Sequence, residues 1–249
     1  MTAITVPSTR EIRDTSEGHF YLAYHAPRLH CILSLIATHL TQPNPQVLDV
    51  GPSLLTKLVK DMLDTQVDSL GLDGTYVPDT GQHHIFNLNQ SGDSAAWPTG
   101  LARYDLIIFA EVIEHLYTAP ELVLHFLREH LKPGGILLLQ TPNAAALPNR
   151  LKLLAGRNPF ERIRLSSDNP GHFREYTLDE LLEDTAKVGF TCETYLRKNY
   201  FDYAYRTRKP TFRHAAPTTY SRIVNACYQG ITAVLPGSLQ RGITLILRA

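Results

Sequence analysis

The sequence has little that would cross-link, anchor or uniformly charge it. Its three cysteines, Cys31, Cys192 and Cys227, are odd in number and widely scattered. They supply neither a disulfide framework nor a thiolate-rich metal site, and they fit a reducing compartment. Long apolar runs are lacking too, since stretches such as Leu106 to Ala110 and Ile136 to Leu139 fall far short of the roughly 20 residues a membrane-spanning helix needs. The N-terminal MTAITVPSTREIRD has no basic segment leading into an apolar one and does not read as a secretory signal, so the expected location is cytoplasmic. Neither sign of charge is in excess: 24 Lys+Arg stand against 24 Asp+Glu, with a sequence pI near 7.2. That balance argues against a general nucleic-acid coat. What is there suffices for a core: 249 residues, 43% hydrophobic and 19% charged, suggest a single domain over 1–249 with embellishments.

Apolar spacing organises the chain as strands alternating with helices. A first helix is expected from Ala26 to Leu40, with Leu29, Ile32, Leu33 and Ile36 on one face and Pro43 and Pro45 beyond its end. Gln46–Val50 then reads as a strand, Gly51-Pro52 as a turn, and Leu55, Leu58, Val59 and Met62 as one face of a helix starting near Ser53. Further strands are expected over Val67–Leu72, His84–Leu88, Asp105–Ala110 and Gly135–Gln140, with a last one over Gly242–Arg248. Thr118 with Glu121, and Thr177 with Glu180, have the spacing of capping boxes ahead of two more helices; Lys132-Pro133-Gly134-Gly135 is expected to end the first, and a final helix to run near Tyr220–Val234. The rhythm predicts an α/β fold, an open and mostly parallel doubly wound sheet whose last strand is antiparallel. Ligands in such sheets lie beyond the carboxyl ends of the strands.

Two basic, aromatic stretches break the alternation. Ala144 to Asn169 and Tyr195 to His214 hold Arg150, Lys152, Arg157, Arg162, Arg164, Arg197, Arg206, Arg208, Lys209 and Arg213, with Asp168 and Phe212 among them. The segments 144–170 and 197–240 read as insertions covering the substrate. They fit either a lid over an aromatic, glycosidic or phosphate-bearing acceptor, peripheral contact with an anionic membrane, or an ordinary solvated face.

Chemistry concentrates at strand ends. Val47-Leu-Asp-Val-Gly-Pro-Ser53 puts Asp49 and Gly51 where a ligand can approach the backbone at a helix N-terminus, and it lacks the dinucleotide glycine fingerprint. Asp73, closing the second strand, suits the two hydroxyls of a ribose. Asn87 and Leu88 offer an amide and an apolar face to a base. In Tyr104-Asp-Leu-Ile-Ile-Phe-Ala-Glu-Val-Ile-Glu-His-Leu116 a buried strand runs straight into Glu111, Glu114 and His115; if the chain turns helical there, all three share one face.

The order LDVG, LGLD, YDLIIFAEVIEHL, LKPGGILLLQTPN, GHFREYTLDELLEDTAKVGF resembles the class I S-adenosylmethionine-dependent methyltransferases, and within them the branch of the ubiquinone-pathway O-methyltransferases. The resemblance, over roughly residues 20–190, implies a Rossmann-like sheet and S-adenosylmethionine as cofactor. It places Asp49 and Gly51 by the methionine part, with Ser53 in the same turn, Asp73 on the ribose, and Asn87 and Leu88 around adenine. Ala110, Glu111 and Val112 would line the cofactor, and Tyr21 or Tyr24, in an N-terminal lid over 20–45, would close it. Where the family turn reads Gly-x-Gly-x-Gly, this chain has Gly51-Pro-Ser-Leu-Leu55.

Glu-x-x-Glu-His followed by a distant His is also similar to the small-RNA 2′-O-methyltransferases. That likeness implies a divalent metal (Mg²⁺, Mn²⁺ or Zn²⁺) on Glu111, Glu114, His115 and His172, a mixed oxygen and nitrogen set. The alternative leaves Glu111 to the cofactor and makes His115, with Glu114, a general-base device. The expected activity is O-methylation of a small-molecule or glycoconjugate hydroxyl; an RNA 2′-O-methyltransferase and a non-catalytic S-adenosylmethionine-binding module are the rivals.

Overall fold

Short runs of Val, Leu and Ile, buried on both faces, build the centre of the molecule, as parallel strands covered by helices require. The structure, a computed structural model, describes residues 4–15, 20–73, 81–165, 170–206 and 215–249. Asp168, Arg208, Lys209, Phe212, Arg213 and His214 lie outside the described residues. In chain order the elements are α1 (Thr9–Asp14), α2 (Phe20–His39), β1 (Val47–Val50), α3 (Leu54–Leu63), β2 (Val67–Gly71), β3 (His83–Ile85) and β4 (Tyr104–Ala110). They continue with α4 (Pro120–Glu129), β5 (Leu131–Pro142), α5 (Leu147–Leu154), α6 (Leu178–Lys187), β6 (Thr191–Lys198), α7 (Thr219–Ala233) and β7 (Gly242–Arg248).

The seven strands form one sheet in the order β3-β2-β1-β4-β5-β7-β6. The first five in chain order pair in parallel, and β7 runs antiparallel to both β5 and β6. On one face Leu29, Ile32 and Leu33 of α2 and Leu55 and Val59 of α3 bury against Ile108 and Leu138; on the other, Val123, Phe126 and Leu127 of α4 and Leu181 of α6 bury against Phe109 and Leu139. The chain winds outward from β1 through β2 to β3, then returns to lay β4 on the other side of β1. That reversal opens a crevice beyond the carboxyl ends of β1 and β4, where such sheets bind ligands.

Several local expectations are corrected. The first helix starts at Phe20, not Ala26, and Pro27 lies inside it. β3 ends at Ile85 instead of reaching Leu88, because Asn87 turns the chain by capping a short 3₁₀ turn over Leu88–Gln90. Thr118 does not cap the next helix: α4 begins with Pro120 at its first position after Ala119, with no side-chain cap. Asn89 instead takes up the backbone there, its Oδ1 accepting from the N–H groups of Tyr117 (2.8 Å) and Thr118 (3.2 Å). Lys132 to Gly135 is not a helix terminus but an irregularity within β5, where Tyr104 pairs with Leu131 and Leu106 with Ile136. Tyr195 to Lys198 is no insertion either, since it completes the edge strand β6. The Thr177–Glu180 capping box forms as its spacing predicts.

Candidate functional site

The β1–α3 turn is built around one glycine and one buried carboxylate. Gly51 has φ +79°, and a Cβ there would sit 3.0 Å from Val112 Cγ2. The left-handed backbone and that close approach together call for glycine. The two further glycines of the resembled family are replaced by Ser53, which caps α3, and by Leu55, which is buried in the core. Ser53 Oγ accepts from the Leu55 N–H (3.2 Å), Thr56 Oγ1 accepts from the Ser53 N–H (2.9 Å), and Thr56 donates to Asp49 Oδ2 (2.6 Å). Asp49 is buried, and burial raises its carboxyl to about 7 against the opposing effects of Thr56 and Arg28. A buried carboxylate of that kind suits a cationic ligand.

α2 brings residues to this crevice that the sequence reading missed. His25 and Arg28 are buried on α2. Arg28 Nε donates to His25 Nδ1 (3.2 Å) and its NH1 to Gln140 Oε1 (3.3 Å) on β5. Tyr21 packs its ring 4.2 Å from that of His25, and Tyr24 stacks on Phe201 at 4.8 Å. The available signal was a histidine and an arginine three apart on an otherwise apolar helix, hidden because Pro27 reads as a boundary. Asp73 is exposed just beyond β2, Asn87 is half-buried and Leu88 buried. Ala110, ending β4, is half-buried.

Beyond β4 the chain does not become an α-helix. Glu111 takes a left-handed backbone (φ +59°), and Ile113–His115 form a single 3₁₀ turn. That tight turn points Glu114 inward: it is fully buried, its Oε2 accepts from Thr141 Oγ1 (3.0 Å), and its Oε1 has no hydrogen-bond partner. Burial, reinforced by Glu111, holds Glu114 well above the usual carboxylate range. Burial raises Glu111 as well, against the pull of Arg28.

The segment after Gly171 folds back over the turn. The Phe173 N–H donates to the Glu114 carbonyl (2.8 Å), and the Gly171 carbonyl lies 2.9 Å from His115 Nδ1. A carbonyl can only accept, so His115 Nδ1 carries the proton and Nε2 keeps the lone pair. Burial lowers the His115 pKa, which favours that neutral form. His172 Nδ1 meets Glu175 Oε1 at 3.1 Å, and the two histidine rings lie 4.7 Å apart, edge to face. For His172 burial pulls the pKa down, but the Glu175 hydrogen bond and the charge of Glu114 outweigh it and the net shift is upward.

Ligand atoms of Glu114, His115 and His172 lie within 4.8 Å of one another, a group able to hold a metal ion. Three of the four expected ligands meet in this group, and Glu111 is not among them. The three fit a cation: the unpartnered Glu114 oxygen is a ready donor, and both rings have Nδ1 held by an acceptor, leaving Nε2.

A family model described as Methyltransferase domain matches residues 23–195. An S-adenosylmethionine-dependent methyltransferase from Archaeoglobus fulgidus is 11% identical, with 93% of this chain and 100% of that one covered, at a TM-score of 0.54. One from Mesorhizobium loti is 12% identical, over 87% and 97%, at 0.54. The cyclase SpnF is 14% identical, over 99% and 98%, at 0.56. No curated protein matches the sequence. At these identities the structural likeness establishes the fold, and it includes a protein named for a different reaction.

Proposed function

The chain belongs to the methyltransferase-domain family and is an S-adenosylmethionine-dependent enzyme, and we propose that it methylates a hydroxyl oxygen of a small molecule or glycoconjugate. The observation that carries this reading is His115, with Nδ1 held by the Gly171 carbonyl and Nε2 left over, beside a buried Glu114 at the carboxyl end of β4. The branch resembled by EVIEHL and GHFREYT acts on hydroxyls, which agrees with it, and the same reading takes the location as cytoplasmic.

The cofactor would lie along the carboxyl ends of β1, β2 and β4, with Asp49 and Gly51 by its methionine part and Asp73 on the ribose. Asn87 and Leu88 would take the adenine, Ala110, Glu111 and Val112 would line the near side, and Tyr21 would cover it. When bound, S-adenosylmethionine would supply a methyl group from its cationic sulfonium, the electrons of the carbon–sulfur bond passing to sulfur to leave a neutral thioether. His115 Nε2 would take the proton of the acceptor hydroxyl as its oxygen bonds to that methyl carbon. Removing the proton and holding oxygen, carbon and sulfur in line are the two tasks left to the protein.

A second reading rests on the three-residue group. Glu114, His115 and His172 would hold a divalent cation, which when bound supplies Lewis-acid polarisation of an acceptor oxygen. Glu175 then positions His172 through Nδ1, and Thr141 fixes Glu114.

The test is turnover of His115→Gln with labelled S-adenosylmethionine on panels of hydroxylated metabolites, glycoconjugates and RNA. Loss of a general base lowers turnover by roughly 10²–10⁴-fold, with cofactor affinity by calorimetry unchanged. Undiminished turnover sinks the role, and incorporation into RNA alone replaces the small-molecule acceptor with a 2′-hydroxyl. For the second reading, chelation should abolish turnover and a divalent ion restore it; a chelated enzyme of full activity removes the metal.

A further inference from the structure

Arg241 brings to the site end of the sheet a charge that no acid answers. In the register of the strands Ala110 pairs with Gln140, and Pro142, at the end of β5, pairs with Gly242. One step further the Asn143 N–H donates to the Arg241 carbonyl (2.8 Å). Arg241 therefore lies beyond the carboxyl ends of β4 and β5, at the end of the sheet that carries Glu111 and Glu114, on the side away from β1 and β2. Tyr24 of α2 links it to that end. Burial pushes the Tyr24 phenol up to about 12, the charges of Arg206 and Arg241 and the Tyr203 hydroxyl pull the other way, and Glu111 adds to the rise.

Aromatic rings hold the side chain. Its guanidinium stands over the rings of Tyr203 (5.2 Å) and Tyr228 (5.8 Å), and its Nε donates to the Tyr228 hydroxyl (2.8 Å). Tyr203 in turn meets Tyr228 edge to face at 4.9 Å and Tyr24 at 5.7 Å. Such rings attract a guanidinium without neutralising it. Among the described residues no carboxylate forms an ion pair with Arg241, and no protein acceptor takes its two Nη groups. The chain around it cannot supply one: no Asp or Glu follows Asp202 in the sequence, and Asp202 is taken by Arg13 (2.6 Å).

A second unfilled donor stands beside it. The buried Asn199 accepts from the Arg241 N–H through Oδ1 (3.1 Å), and its Nδ2 has no partner. A half-buried guanidinium with no counter-charge is costly to keep in a protein. Its open end, the two Nη groups side by side, has the spacing that grips two oxygens of a carboxylate or phosphate. We propose that Arg241 anchors an anionic group, carboxylate or phosphate, of the methyl acceptor, and so selects acidic acceptors over neutral ones. This rests on reading the crevice as the acceptor side of a methyltransferase. The rings of Tyr24, Phe201, Tyr203 and Tyr228 favour a flat aromatic body next to that group.

Titration of the full chain, saturated with S-adenosylhomocysteine, with benzoate, phenyl phosphate and the neutral benzamide tests this by ligand-observed NMR at low and high salt. At least one anion should bind about tenfold or more tighter than benzamide, and salt should narrow the gap. Which anion leads tells carboxylate from phosphate. Arg241→Gln should bring both anions to the level of benzamide, with S-adenosylmethionine affinity kept. Should that variant lose its fold, Arg241→Lys keeps the charge without the fork and should lower the preference by at least about threefold. Benzamide binding as tightly as either anion, binding of none of the three, or an undiminished preference in the variants would overturn the proposal. The reading of the reaction fails separately. A wild type that prefers the anions yet methylates no hydroxylated compound leaves the Arg241 site standing and removes the reaction. Hydroxylated acids and their amides methylated with equal kcat/KM would keep the reaction and overturn the anchor.

Discussion

Asp49 shows how one buried side chain makes stability depend on pH. Its carboxyl, raised from 3.8 to about 7 by burial, holds a proton in the folded state that the unfolded chain has already released between those values. Stability from this group is therefore fully present below 3.8, falls as pH rises, and is lost above about 7. Asp49→Asn keeps an acceptor for Thr56 and carries no charge at any pH. Thermal melts across pH should show the variant more stable than wild type at pH 8, by on the order of 1–4 kcal/mol, and nearly equal to it in acid. Calorimetry should show weaker binding of the cationic cofactor. A variant melting curve with the same pH slope as wild type would mean that Asp49 is charged in the folded protein throughout. At this scale the sequence was informative about which polar residues the fold gathers at the strand ends, since a strand-end Asp and a run into Glu-x-x-Glu-His announce themselves. It was silent on geometry: no spacing rule distinguishes the left-handed Glu111 and the 3₁₀ turn over Ile113–His115 from the start of an α-helix.

Among the elements, the two Thr-x-x-Glu segments show what local spacing can and cannot say. At Thr177 the box is reciprocal, with Glu180 Oε2 accepting from the Thr177 N–H at 2.8 Å and Thr177 Oγ1 accepting from the Glu180 N–H at 3.4 Å. At Thr118 the same letters fail, because Pro120 fixes the helix start one residue later and Asn89, far away in sequence, takes the Thr118 N–H. Thr177→Ala should therefore cost about 1 kcal/mol, read as a lower denaturant midpoint at unchanged slope, whereas Thr118→Ala should leave the midpoint where it is. A Thr118 effect as large as that of Thr177 would contradict the assignment. The strands of the parallel core were legible because Val, Leu and Ile runs buried on both faces admit few alternatives. β6 was not: an edge strand of mixed Thr, Glu, Tyr and Arg needs only β7 beside it, and that partner lies across α7 in the chain.

For the molecule as a whole, the zero net charge conceals an uneven distribution of acids and bases along the sequence, and a buried polar chain ties α2 to the sheet. Arg28 of α2 donates to Gln140 on β5, Gln140 Nε2 donates to Thr244 Oγ1 on β7 (2.8 Å), and Thr244 Oγ1 pairs with the Tyr200 hydroxyl (2.7 Å) just after β6. Gln140 is fully buried and its two partners lie more than a hundred positions away on either side, which is why no motif announced it. Such a network fixes α2 relative to β5, β7 and the chain just after β6, since each group is satisfied only when its partners are in place. Gln140→Leu removes both hydrogen bonds at nearly constant volume and leaves the buried Arg28 with His25 but without the Gln140 acceptor. The expected cost is roughly 1–3 kcal/mol, a fall of about 2–10 °C in melting temperature for a protein of this size. Arg28→Met and Thr244→Val should each cost less when added to Gln140→Leu than alone, because the partner is already gone. Strictly additive losses in that cycle would show the polar chain to be three independent contacts, and the coupling of α2 to the chain after β6 would then have to rest on the packing of Tyr24 against Phe201.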